Sequence, residues 1–550
     1  MRLSFRAVSV LIVLLMGISI APAFGQEFEP MSTISPDCDY GGNMKAIEAV
    51  DELTVRISLC NPDPAMESKI AHLAMGIHPS EYLEATGGTG DLITKPIGTG
   101  PYKLENWDLG NEVDLARNDA YWGDTAIEPS VVVRWSSEAT ARLLELQAGS
   151  IDGMENVGEG DFEVVSADPN LNLIPRPPMT GVYIGISNNF PPFDDVRVRQ
   201  AIAHAIDRNR LVDNFFPGGS IAGSGFVPPS VFGGDTGVET LPYDPDEAKR
   251  LLEEASADLG FELPLHTTLS YRDVVRQYLP SPGTIAVDIQ SQLAVVGIEV
   301  EVVTMESGAF LTSALAGNEP LHLLGWTADY PDGGNFLDPL FAPGVTQLGD
   351  QAPYQDAIIQ PLLAASQEMN PEARLELFRT VAEGVRDLAP VVPFGHASSA
   401  VAWNVRIQNA NTSPLDGNEN FAIMEDPDDD NIIYMQNGEP VSLYCNDTSD
   451  GESFRLCHSI NESMLAFATG GTDIIPSLAE TWDASEDGTV WTFHLRAGVK
   501  FHDGSPLDAN DVVATYSAMW DAANPAHTGR GEGFVFWTYF FQGNLNAPAE

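Results

Sequence analysis

The segment from 265 to 326 constrains this chain most, because it alternates strand and helix signals at the lengths a layered α/β unit requires. LHTTLS reads as a strand. From Pro282, TIAVDIQSQLAVVG places Ile285, Ile289, Leu293 and Val296 on one helical face, and Gly297 stands ready to cap before the alternating strand IEVEVV. A short helix around Ala309 to Ala316 leads into the apolar strand LHLLGW. Strand, helix, strand, helix, strand predicts an α/β layer architecture. Upstream, FDDVRVRQAIAHAIDRNRLVDNFF predicts a helix capped by Asp194 or Asp195, with Val198, Ala201, Ile202, Ala205 and Ile206 facing a core. Downstream, Asn370 with Pro371 opens another, carrying Leu375, Phe378, Val381 and Val385 and stopping before Pro390.

At about 150 residues per domain, the 550 residues predict three or four domains or subdomains. Hydrophobic residues make up 43% and charged ones 19%, which excludes a wholly disordered chain. Its 27 basic residues against 79 acidic ones give a net charge of −52, so nucleic acid is not an expected partner and an anionic membrane surface would repel it. The acids are spread along the chain, and both a solvated surface suited to a salty exterior and a preference for cationic ligands would follow. Enzyme signatures are missing. No Lys follows a Gly, as a Walker-type phosphate loop requires, no Glu follows a His, and GGSIAGSG at 218 to 225 lacks nucleophile-elbow spacing. Asp426, Asp428 and Asp430 stand at calcium-loop spacing without that loop's Gly and Glu, so 425 to 431 reads as a solvated acidic linker; no metal and no cofactor is expected.

At the N-terminus, Arg2 and Arg6 precede an apolar run from Ala7 to Ala23, with Ala21-Pro22-Ala23 and Ala23-Phe24-Gly25 as cleavage-type sites. Residues 1–25 are therefore expected to be a secretory signal peptide, retention as an anchor being the alternative. The mature chain is expected to be exported, periplasmic or extracellular, and associated with the cell envelope. Export permits disulfides, and Cys38, Cys60, Cys445 and Cys457 allow two bridges in three pairings, of which proximity favours Cys38 with Cys60 and Cys445 with Cys457.

GTGPYKLENW at 98–107, ARNDAYWG at 116–123, the 193–219 segment ending FFPGG, GWTADYPDGGNFLDPLF and PLDGNENFA together resemble the extracellular solute-binding proteins of family 5, the oligopeptide, dipeptide and nickel receptors of ABC importers. PSLAETWDASEDGTVWTFHLRAGVKFHDGSPLDANDVV at 476–513 is the most specific match, and it comes last where the family has it near the start. The order implies a circular permutation, with a partial duplication or a swapped dimer as rivals. The resemblance implies a bilobal type II periplasmic-binding-protein fold with an extra subdomain. It divides the chain into 27–93 and 471–550 for the extra subdomain, 94–262 and 423–470 for the core lobe, and 263–422 for the second lobe.

The resemblance also implies the site. An extended ligand would lie between the lobes like an added strand, along GWTADY, with Asp329 pairing its α-ammonium, Trp326 packing on it and Thr327 lending backbone groups. Tyr271 matches a further pocket aromatic. Leu323 replaces the Arg that anchors a longer peptide's carboxylate, leaving Arg272 or Arg276 as substitutes or as surface residues, and leaving peptides, oligosaccharides, opine-like compounds and metal chelates as ligand classes. The aromatic run FVFWTYFF at 534–541 reads as packing or as a ligand-side wall. A monomer working with an ABC permease and ATPase complex, without catalysis, is the expectation; a ligand-presenting sensor subunit and a secreted hydrolase are the alternatives.

Overall fold

Three large sheets, of six, seven and five strands, and a two-stranded ribbon organise the chain in a computed structural model that describes residues 28–547 other than 273, 416, 418 and 532. The expected signal segment 1–25 lies outside the described residues. No helix among the described residues is long and apolar enough to cross a membrane.

The alternating segment builds half of a six-stranded sheet. Leu265–Arg272 and Ile298–Met305 run parallel, joined by the helix Pro282–Val295, whose Ile285, Ile289 and Leu293 are fully buried. Ser307–Leu315 then leads to Leu321–Thr327. The other half comes from elsewhere. Thr180–Ile186, buried at every position, pairs antiparallel with Leu321–Thr327 on one side and with Val391–His396 on the other. The expected boundary at 262/263 therefore does not follow the sheets. A strand buried on both faces reads as a continuous apolar run without alternation, and GVYIGI lacks the period that would mark it.

The expected helix from 194 to 216 is two helices, Val196–Ala205 and Arg208–Phe215. The break is local chemistry. Asp195 caps the first, and Asp207 caps the second by accepting from the Arg210 amide at 3.1 Å, which pulls Ile206 and Asp207 out of helical conformation.

A seven-stranded sheet is completed by Asn431–Gln436, inserted parallel between Ser130–Trp135 and Gly153–Met154. The acidic stretch before it is thus a tight connection within a lobe. Pro427 to Asp430 are exposed as read, but Asp426 is buried and accepts from Arg406 Nε at 2.8 Å, which corrects the fully solvated reading. A third, five-stranded sheet joins the chain's two ends. Thr54–Leu59 pairs with Met44–Asp51 on one side and with Val490–Leu495 on the other, so AVDELTVRISL and WTFHLRAGVKF share one layer. Cys38 is bonded to Cys60 and Cys445 to Cys457, with Cα separations of 5.8 and 6.0 Å.

The chain passes between the six- and seven-stranded sheets at 176–180 and again at 396–399. The two passages are tied to each other. Ala397 N donates to Thr180 Oγ1 at 2.7 Å, His396 Nδ1 to Thr180 O at 2.6 Å, and Ser398 Oγ to Arg176 O at 3.0 Å. A paired connection of this kind lets two lobes rotate about one short hinge while each keeps its core intact.

Candidate functional site

The strand Leu321–Thr327 carries the site because only one of its edges is fully used. It pairs with Thr180–Ile186 along its whole length, but with Leu265–Arg272 only at Leu321 and His322. The bond from Ala328 N to Met179 O, at 3.0 Å, fixes the phase of the ladder. In an antiparallel pair, backbone groups alternate in direction, so Gly325 and Thr327 turn their N–H and C=O away from Thr180–Ile186. Among the described residues no strand pairs with this edge beyond His322, and Tyr278 packs over Gly325.

The chain turns immediately after this edge, and Asp329 sits in the turn. Its amide donates to Asn335 Oδ1 at 2.9 Å, and Asn335 Nδ2 donates back to Asp329 Oδ2 at 2.8 Å. Asn335 belongs to the helix Gly333–Phe341, which Asp332 caps while also accepting both Nη atoms of Arg374 at 2.6 and 2.9 Å. The carboxylate is thus aimed by a helix that is itself pinned. No cation among the described residues pairs with Asp329, and burial pushes its carboxyl up to about 6 against the lowering pull of Asn335 and Trp326. A charge-assisted partner is what this group lacks.

Aromatic rings wall the same place. Trp326 stands edge-to-face with Tyr539, ring centres 5.9 Å apart, and Tyr330 likewise with Phe540 at 5.4 Å. Tyr539 is half exposed while Phe536, Trp537, Phe540 and Phe541 are buried, so the run packs the core and leaves Tyr539 at the surface beside Trp326. Phe467, from Leu465–Phe467, packs against the clusters of both the six-stranded and the five-stranded sheets. Beside Tyr539 a polar pocket of about 560 Å³ follows the seam between those units, lined by Asp63, Lys69, Asp332, Arg374 and Asp338. Lys69 is paired with Asp63 at 2.6 Å, whereas burial pushes the Asp338 carboxyl up to about 7.

Trp326, Thr327 and Asp329 are therefore brought together, and Tyr271 is not one of the group. It is buried inside the lobe, where its hydroxyl accepts from Thr304 Oγ1 at 2.8 Å. Arg272 donates to Tyr278 Oη at 2.6 Å and Ser307 Oγ at 3.2 Å, while Arg276 is exposed. The sequence gives Asn335 no role, and gives Tyr539 one only as part of the run 534–541 read as packing or as a ligand-side wall. Both lie in motifs that stood out, but nothing in their spacing shows that a turn folds Asn335 back onto Asp329.

Opposite, the lobe built on the seven-stranded sheet is locked by buried charge. Arg455 donates to Glu419 Oε2 at 2.9 Å, to Gln436 Oε1 at 2.8 Å and to Glu155 at both carboxylate oxygens, and Arg176 donates to Glu419. Burial alone would raise the Glu419 carboxyl, but Arg455 and Arg176 hold it down to about 2. The two lobes touch beside the hinge, through Gln277 Nε2 to Ser399 Oγ at 2.8 Å and Ser281 Oγ to Glu159 Oε2 at 3.2 Å.

Two α/β lobes joined by two short passages, with a third unit leaning on the cleft, define the fold of a type II periplasmic binding protein. The match to bacterial extracellular solute-binding proteins, family 5 (middle), spans residues 21–347 and 473–535, and the chain belongs to that family. It is 28% identical to the dipeptide-binding protein of Escherichia coli (strain K12) over 361 residues, 64% of this chain and 66% of that one. To the di/tripeptide-binding protein 4 of Pseudomonas aeruginosa (strain UCBPP-PA14) it is 31% identical over 391 residues, 70% of this chain and 72% of that one. A solved structure of the ABC transporter-associated periplasmic binding protein DppA from Helicobacter pylori in complex with the peptide STSA superposes with a TM-score of 0.54 at 27% identity, covering 67% of this chain and 71% of that one. The chain spans about two-thirds of the length of these curated relatives.

Proposed function

We propose that this solute-binding protein captures a short peptide between its two lobes and delivers it, unaltered, to an ABC permease and ATPase complex. The observation that carries the reading is Asp329: a carboxylate without a cation among the described residues, oriented by Asn335, at the end of a strand edge left unpaired there beyond His322, and beside Trp326 and Tyr539. An α-ammonium would supply the missing charge, the peptide backbone would bond to Gly325 and Thr327, and a side chain would pack on Trp326. Relatives named for dipeptides and di/tripeptides support that ligand class. Binding favours the closed arrangement only through contacts made to both lobes at once, so the ligand itself drives closure. Nothing in this requires catalysis, and a monomer is sufficient. The reading includes export through a signal peptide at 1–25 and a circular permutation in which 432–541 correspond to the family's beginning, the two ends sharing the five-stranded sheet.

The pH dependence tests the role of Asp329. Burial raises its carboxyl from 3.8 to about 6, so ionising it costs the free protein stability at pH above 6 and nothing below about 4. A bound cation removes that cost and needs the ionised form. Calorimetric titration with Ala-Ala is expected to give constant affinity above pH 7 and about tenfold weaker binding at pH 5, the factor that follows from protonating one group of pKa near 6. Affinity flat from pH 8 to 5 would detach Asp329 from the ligand. Recovery of hydrolysed peptide from homogeneous protein would overturn the claim that it is delivered unaltered.

A further inference from the structure

A second pocket lies against the lobe built on the six-stranded sheet, separated from the pocket beside Tyr539 by Phe378, which lines both. About 620 Å³ of space, part of it open to solvent, is lined by Phe226, Leu337, Phe378, Val381 and Val385, with Arg208 and Arg386 among its polar residues. None of Trp326, Thr327, Asp329 or Tyr539 lines it.

Arg208 is what makes this more than a packing defect. Its side chain is only 8% exposed, yet it makes no ion pair with any carboxylate among the described residues. Nε donates to Pro393 O and Nη1 to Leu241 O, each at 2.8 Å, which clips a surface loop to a central strand and leaves Nη2 without an acceptor among the described residues. Two carbonyls satisfy two donors but neutralise no charge. Arg374 and Arg455 find carboxylates, at Asp332 and at Glu155 and Glu419, whereas Arg142 and Arg199 are held like Arg208 by backbone carbonyls; of these three carbonyl-bound arginines, Arg208 is the one that lines this pocket. Burial lowers the Arg208 guanidinium to about 10, so it remains charged at neutral pH. Glu239 is the one acid lining the pocket; it is exposed and makes no ion pair. A buried cation facing apolar walls wants an anion that brings its own apolar body.

We propose that this pocket is a second binding site, taking a small organic monocarboxylate whose apolar tail lies against Phe226, Val381 and Val385 while its carboxylate meets Arg208. Occupancy would pin the loop carrying Leu241 to the lobe and would be independent of ligand in the cleft.

Titration of the purified protein with octanoate and with octanol tests this without any substitution. Octanoate is expected to bind one to one and at least tenfold more tightly than octanol; equal affinities, or no binding of octanoate, would overturn the proposal. Val381→Trp and Val385→Phe, which fill the pocket from two positions, are each expected to reduce octanoate affinity at least tenfold, as is Arg208→Gln. Retained octanoate binding in a folded filling variant would place the ligand elsewhere. Saturating Ala-Ala should leave octanoate affinity unchanged, whereas competition between the two would assign octanoate to the cleft and refute a separate site.

Discussion

Asp329→Ala is expected to weaken binding of a dipeptide with a free α-ammonium by about 2–5 kcal/mol, the usual cost of stranding one partner of a desolvated charge pair. The free protein should not be destabilised in parallel. In the absence of ligand the Asp329 carboxylate has no cation and its burial is unfavourable at neutral pH, so removing it relieves a cost, while Asn335 loses one acceptor. That split, affinity lost with stability kept, separates a ligand anchor from a turn-capping residue. Asp329→Asn keeps a partner for Asn335 and removes the charge, and it should lose nearly as much affinity. Unchanged affinity in both variants would assign Asp329 to the turn alone.

The second large effect is on stability. Arg455→Ala is expected to cost about 3–5 kcal/mol, measured by urea unfolding at pH 7, because it leaves Glu155 and part of the pairing of Glu419 uncompensated in a dry interior. The pair's contribution is tied to a depressed carboxyl: Glu419 is held near 2 against an ordinary 4.5, so the stabilisation is complete above 4.5 and is lost only as pH falls through about 2. A loss below 1 kcal/mol would show that the network is relaxed by water. The position matters because Arg455, Glu155, Glu419 and Arg176 come from four separate stretches of chain, and their meeting ties those stretches together inside one lobe.

Sequence was most informative where period and length agreed. The segment from Leu265 to Thr327 could be read element by element, since its helix shows a one-sided apolar face and its strands are bounded by Gly and Pro. Thr180–Ile186 was illegible for the opposite reason, being buried on both faces and so without alternation. The break at Asp207 leaves no mark in the apolar pattern, because a capping Asp inside an amphipathic stretch keeps that pattern intact. At the candidate site, Trp326, Thr327 and Asp329 lie in one contiguous motif, whereas Asn335 and Tyr539 come beside them through a turn and through a unit more than 200 residues away in sequence, which no local signal encodes. Tyr271 shows the converse: a plausible neighbour in sequence terms whose strand position turns it into the core.

Native mass spectrometry of the protein, purified without refolding and then offered a mixture of di- and tripeptides with their N-acetylated counterparts, tests the central claim most directly. The account predicts one intact free-amine peptide per protein molecule and no retained N-acetylated species. Equal retention of acetylated peptides, or exclusive retention of a sugar or a metal chelate in their place, would contradict it.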